Sequence, residues 1–136
     1  QAYGRELKID NRIVWHGWQK HPWEVGRQDI KKVSALLLTS SFEGFPMTLL
    51  ESMSWGIPCI SADCVSGPGD IIQPDVNGHL YQPGDIAGFV TLLNKYIAGE
   101  IHIEHEKIPA SIDKFYQSKY YDRLHNIIIS AISRRK

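Results

Sequence analysis

The run ALLLT at residues 35–39 constrains the fold more than any other stretch of the chain. A strand with one wet face would alternate apolar and polar residues. This run is continuously apolar, so it predicts a strand covered on both faces, the usual condition of a parallel sheet. Ser40 and Ser41 end it. Similar runs occur at residues 12–16 (RIVWH, stopped by Gly17), 57–61 (IPCIS) and, more briefly, 78–81 (GHLY). Helical patterns lie between them, a weak one over residues 23–32 and a stronger one over 46–55. A third is opened by Asp85: Ile86, Phe89, Val90, Leu93, Tyr96 and Ile97 recur at three- and four-residue steps until Gly99 stops them. A terminal helix is expected over about residues 111–133, with Phe115, Tyr116, Tyr120, Leu124, Ile127 and Ile128 as its apolar positions. Strands alternating with helices predict an α/β fold, a Rossmann-like parallel sheet flanked by helices, in a single domain over residues 1–136.

A chain of 136 residues is the size of one domain and long enough to bury a real core. Fifteen basic residues against fifteen acidic ones leave no net charge, which argues against a nucleic-acid groove or a wholly basic membrane face. The basic end, Arg134, Arg135 and Lys136, is read as solvated chain, with a membrane surface or anionic partner as the alternative. Cys59 and Cys64 make neither a disulfide framework nor a zinc site, and Cys59 is expected in the core. No leader peptide is legible, and apolar runs such as residues 127–129 are far too short to span a bilayer. The chain begins at Gln1 rather than methionine, so a piece of a longer cytoplasmic protein is the expectation.

Ligands of such sheets bind beyond the carboxyl ends of the strands. Three loops qualify: His16, Gly17 and Trp18 with their neighbours, residues 40–46, and residues 62–70. The second belongs to SFEGFPMTLLESMSWG, which carries Glu43 and Glu51 eight positions apart. Pro46 suits the first helical position because its missing N–H would be unpaired there anyway. The amides of Met47, Thr48 and Leu49 would then face outward at the positive end of a helix dipole, a natural seat for a diphosphate. Glu43 cannot attract a phosphate, so it should face neutral donors such as sugar hydroxyls. Glu51 is placed to take both hydroxyls of a ribose. On spacing alone, a loop charge and a solvent-facing helix residue explain the two glutamates better than a ligand site does.

The surrounding letters narrow the choice. FEGFPMTLLE, then Gly56 and Pro58, then Asn77-Gly78 and Pro83-Gly84-Asp85, resemble in order the retaining GT-B glycosyltransferases with a Glu–seven residues–Glu motif. With DCVSGPGD at residues 63–70, the pattern looks most like bacterial lipopolysaccharide-core sugar transferases. The resemblance implies the C-terminal half of a GT-B fold, with the acceptor-binding N-terminal domain absent from this chain. It implies that Glu43, the catalytic candidate, holds the donor sugar with Gly44 and Phe45. Met47, Thr48 and Leu49 would face the diphosphate, Glu51 the ribose, and His16, Gly17 and Trp18 the base. The implied reaction is transfer of galactose from UDP-galactose to the lipopolysaccharide core with retention of configuration. No metal and no cofactor are implied, the UDP-sugar being substrate, and no nucleic-acid partner is implied. Peripheral contact with the inner face of a bacterial inner membrane is left open. Other donors or acceptors, and a non-transferring nucleotide-sugar-binding or epimerase relative, stand as alternatives.

Two departures from the family pattern matter. No GRxxxxKG sequence is present to grip the diphosphate, and Asp70 stands where the commoner pattern has Glu. The resemblance therefore implies weak donor binding by the isolated chain. His102 and His105 are expected on the surface of a charged connector rather than on a metal. Trp15 and Trp55 are expected in the core, while Trp18 and Trp23 are read equally as stacking platforms or as packing residues.

Overall fold

The computed structural model describes residues 1–23 and 33–134, which fall into two compact units, Gln1–Lys32 and Val33–Lys136. The first unit opens with a short helix, α1 (Ala2–Glu6), and a 3-10 turn at Asp10–Arg12. The strand expected at residues 12–16 is not formed. Arg12 closes the 3-10 turn, Ile13 is extended, and Val14 and Trp15 are exposed. An apolar run becomes a strand only where a neighbour completes its hydrogen bonds, and the described residues supply none here. The weak helix expected over residues 23–32 lies almost wholly outside the described residues.

The second unit is a parallel three-stranded sheet in the order β1 (Leu36–Leu38), β2 (Cys59–Ala62), β3 (Gly78–Tyr81). Leu36 pairs with Cys59 and Cys59 with Gly78. β2 is buried along its whole length, as the central strand of such a sheet should be. It begins two residues later than its apolar run, because Pro58 has no N–H to place in a ladder. β1 departs from expectation. Leu37 is 45% exposed, so among the described residues that strand is covered on one face only.

α2 (Met47–Ser54) and α3 (Pro68–Ile71) connect the strands, and α4 (Ile86–Ile97) follows β3. α2 turns Leu49, Ser52 and Met53 inward. Asp85 caps α4 as its sequence predicts, its carboxylate accepting the Gly88 amide at 2.8 Å. The core gathers Leu49, Met53, Cys59, Ile71 and Ile72 with Ile103, Ile108 and Ile112 from the connector after α4. That connector contains a 3-10 turn (His105–Lys107), α5 (Ile108–Ser111) and a second 3-10 turn (Asp113–Phe115). The terminal helix therefore starts later than the sequence suggests. α6 spans Gln117–Ser133, and its apolar residues, Leu124, Ile127 and Ile128 among them, are exposed.

Candidate functional site

In parallel neighbours, the loops that follow β1 and β2 leave the sheet at the same edge. The first runs into the Glu43–Pro46 turn and α2; the second runs through residues 63–67 into α3. Pro46, at φ −75° and ψ 87°, is the centre of an inverse γ-turn in which the Met47 amide donates to the Phe45 carbonyl at 2.9 Å. Pro46 thus occupies the N-cap rather than the first helical position expected for it, and Met47 opens α2. The Leu49 amide donates to the Pro46 carbonyl at 3.0 Å. Of the three amides expected to be free, Met47 and Leu49 are engaged locally, because the γ-turn and the tight first turn bring carbonyls within reach. Among the described residues the Thr48 amide has no partner.

Glu43 is half-buried, and its carbonyl accepts the Ser66 hydroxyl at 3.1 Å. The loops after β1 and β2 are therefore joined at the first glutamate. Glu51 lies on the exposed side of α2, away from Leu49 and Met53. It borders a groove of about 190 Å³ whose other walls are Met47, Leu50, Ser54, Ile112, Phe115 and Tyr116. Phe115 also packs on Phe45, ring centres 5.7 Å apart and planes at 58°, so one ring connects the Glu43 turn with the Glu51 groove. Lys114 Nζ lies 4.8 Å from the centre of the Phe115 ring and donates to the Asp70 carbonyl at 3.1 Å. Sequence reasoning missed this segment as part of the site. Its signal was the FY pair at residues 115–116, which the longer helical pattern absorbed.

Other motif residues hold the frame. Asn77 is fully buried, donating to Ser111 Oγ at 2.9 Å and the Ile71 carbonyl at 3.2 Å while accepting the Gln73 amide at 2.7 Å. It fixes the start of β3 to α5. His79, Tyr96 and Asp75 form a second chain, with His79 Nδ1 2.7 Å from the Tyr96 hydroxyl and Nε2 3.0 Å from Asp75 Oδ1. Cys59 is a core residue as expected, and burial pushes its thiol up to about 12.

His16, Gly17 and Trp18 lie in the first unit, all exposed, Trp18 at 84%. Gln19 Nε2 donates to the His16 carbonyl at 2.8 Å. The glutamate site itself is built from the second unit. Trp15 and Trp55 are not core residues; they are 51% and 39% exposed. Trp55 sits at the C-cap of α2, and the buried positions on either side of it are Met53 and Ile57. His102 and His105 are exposed, and no group of three or more His, Cys, Asp or Glu suited to a metal ion occurs among the described residues.

A parallel sheet flanked by helices, with a loop-to-helix junction at its carboxyl edge, is the architecture of a GT-B glycosyltransferase half. The chain belongs to the family described as glycosyl transferases group 1, whose model matches residues 2–114. It is 89% identical over all of its 136 residues to the lipopolysaccharide 1,6-galactosyltransferase of Escherichia coli (strain K12), covering 38% of that protein. To the Salmonella typhimurium enzyme of the same description it is 56% identical over 134 residues, 98% of this chain and 37% of that protein. Among solved structures it is similar to the apo form of the lipopolysaccharide outer core galactosyltransferase WaaB, at a TM-score of 0.92 and 57% identity, covering 96% of this chain and 37% of that one. HepE of Anabaena, solved in complex with UDP, shares the fold at a TM-score of 0.77 and 20% identity, over 95% of this chain and 35% of that one. The chain thus spans less than two-fifths of the length of the curated relatives named here.

Proposed function

We propose that this chain is the donor-binding segment of a retaining galactosyltransferase that moves galactose from UDP-galactose to the lipopolysaccharide core. The observation that carries the reading is the 89% identity, across the whole chain, to a protein described as a lipopolysaccharide 1,6-galactosyltransferase. The geometry supports it. A free Thr48 amide at the start of α2 offers a donor to the diphosphate, on the positive end of the helix. Glu43, half-buried in the turn before it, receives hydroxyls of the sugar together with the backbone of Gly44 and Phe45. Glu51, on the outer side of α2, receives the ribose hydroxyls. Met47 and Leu49, their amides engaged, contribute through the helix dipole rather than as donors, and the Leu49 side chain lies in the core. His16, Gly17 and Trp18 are the proposed border of the uracil.

In the reaction, the bond from the galactose anomeric carbon to the β-phosphate oxygen breaks and a bond from that carbon to an acceptor hydroxyl oxygen forms on the same face. The acceptor proton passes to the departing diphosphate, and UDP leaves. The protein's part is to hold the sugar and to meet the charge that develops on the diphosphate with fixed dipoles. No resident metal or cofactor is proposed. The acceptor, and the cationic side chains that complete the diphosphate grip, are assigned to the part of the full-length enzyme that this chain does not span. The exposed apolar side of α6 is proposed to pack against that part. No described helix is long and apolar enough to cross a membrane; the enzyme is proposed to work in the cytoplasm, in peripheral contact with the inner membrane that carries its acceptor.

A donor screen on a full-length enzyme carrying this segment tests the reading. Truncated lipopolysaccharide acceptors are offered with UDP-galactose, UDP-glucose and UDP-N-acetylglucosamine, and product is followed by mass spectrometry. Product from UDP-galactose is expected. Product only from UDP-glucose, or only on an acceptor that is not lipopolysaccharide, would overturn it.

A further inference from the structure

The first glutamate is not held by its own loop alone. Ser66 and Gly67, from the loop after β2, close over the Glu43–Pro46 turn from the neighbouring strand. The Ser66 hydroxyl donates to the Glu43 carbonyl at 3.1 Å, across 23 positions of sequence. Next to it, Gly67 is fitted against the turn so closely that a β-carbon there would overlap Pro46 Cδ and stand 3.3 Å from the Gly44 carbonyl oxygen. Both Pro46 and Gly67 are buried, so this contact is a packed one. Ser66 achieves its bond from a left-handed backbone, φ 61°, and Gly67 follows at φ 105°. A non-glycine residue in that region is uncommon, and at position 66 the side chain supplies a bond that glycine could not.

We propose that Ser66 is a positioning residue for the donor sugar, acting through the carbonyl of Glu43, with Gly67 as the close-packed stop against which the Gly44–Pro46 turn rests. This rests on the donor-binding reading above, in which Glu43 faces the galactose. Breaking the bond frees the Glu43 peptide to rotate, and the carboxylate loses its aim at the sugar. The diphosphate and ribose contacts originate further along, at Thr48 and Glu51, and are untouched. Ser66 therefore governs recognition of the sugar and leaves recognition of the nucleotide unchanged.

The test uses a full-length enzyme carrying this segment, with UDP and UDP-galactose titrated calorimetrically and the Michaelis parameters for UDP-galactose measured alongside. Ser66→Gly removes the hydroxyl while easing the left-handed backbone, so the melting temperature should not fall. Affinity for UDP-galactose should drop about three- to tenfold, the range of one hydrogen bond, while affinity for UDP stays within about twofold. Ser66→Asn, which tolerates φ near 60° and restores a donor, should recover the sugar-specific part. Glu43→Ala is the reference. If Glu43→Ala lowers UDP-galactose affinity selectively but Ser66→Gly does not, the positioning role of Ser66 fails and the donor reading stands. If Glu43→Ala leaves the ratio of the two affinities unchanged, the donor reading itself fails. Equal losses of both ligands in Ser66→Gly would mark a general role in folding, and failure of Ser66→Asn to restore the ratio would show that a bond to the Glu43 carbonyl is not what positions the sugar; either result overturns the proposal.

Discussion

Gly78 opens β3 opposite Cys59, and a methyl group placed on it has nowhere to go. It would overlap the Cys59 carbonyl oxygen and stand 3.0 Å from the carbonyl carbon and 3.1 Å from the nitrogen of the same residue. These are backbone atoms of the fully buried central strand, so no side-chain rotation relieves the contact. In Gly78→Ala, β3 has to draw back from β2. That stretches the adjacent bond from the Cys59 amide to the Asn77 carbonyl, now 3.0 Å. Overpacking of this kind costs about 1–3 kcal/mol and a weakened ladder bond about 1 kcal/mol, so a loss of about 3 kcal/mol is expected. Against a typical domain stability of about 5–15 kcal/mol this is a large fraction. Urea unfolding of the 136-residue chain, followed by far-ultraviolet circular dichroism, reads it as a shift in midpoint at constant slope. Gly99→Ala is the control. Nothing lies within 4 Å of a methyl there, and its φ of 72° carries only the left-handed penalty of about 1–2 kcal/mol. If Gly78→Ala proves no more costly than Gly99→Ala, β3 does not approach the Cys59 backbone this closely.

Three further outcomes are expected. Leu49→Ala, which empties a fully buried site between α2 and the sheet, should destabilise the chain by about 2–5 kcal/mol by the same unfolding measurement. Asp85→Ala removes the cap on α4 and should cost about 1 kcal/mol, with Asp85→Asn or Asp85→Ser recovering most of it. Cys59 should resist alkylation in the folded chain at neutral pH and react on unfolding, because burial raises its thiol from 9.0 to about 12. The sign of its pH dependence follows from that direction. Below pH 9.0 the thiol is protonated in both states, and as pH rises from 9.0 towards about 12 only the unfolded thiol ionises, so stability falls. Cys59→Ala should show a shallower fall than the parent over that interval.

The elements that could be read from the sequence were those whose local pattern and tertiary role agree. β1 and β2 announced themselves as apolar runs, and α4 by its cap, its period and its closing glycine. Ile101, Ile103 and Ile108 have no legible pattern in their charged connector because 3-10 turns and a four-residue helix are too short to show a period, and Ile112 falls inside the longer helix expected from residue 111. Phe115 and Tyr116 belong to the same failure. The four-residue step from Tyr116 to Tyr120 is a helical one, but the chain breaks at Tyr116, extended at φ −65° and ψ 146°, before α6 begins. The strand expected at residues 12–16 shows the converse error, since β propensity without a described partner makes no strand.

The candidate site was legible in part for a similar reason. Glu43, Pro46 and Glu51 are close in sequence, and a turn followed by a helix start has a local signature. The Ser66 bond to Glu43 joins residues 23 positions apart, and no local pattern can report such a pair. Its only trace was the density of Ser, Gly and Pro over residues 62–70, which marked a loop able to approach closely without saying what it approaches. The free amides were overcounted because an inverse γ-turn at Pro46 cannot be told from a first helical turn by composition alone.

The division of labour between the two glutamates is the central feature of the proposed site. Its most direct test is calorimetric titration of UDP and UDP-galactose into a full-length enzyme carrying this segment, in the parent, Glu43→Ala and Glu51→Ala forms. Glu51→Ala should weaken UDP itself. Glu43→Ala should weaken UDP-galactose and leave UDP within about twofold, as expected for a group that meets only the sugar. Equal losses for both ligands in both variants would contradict it.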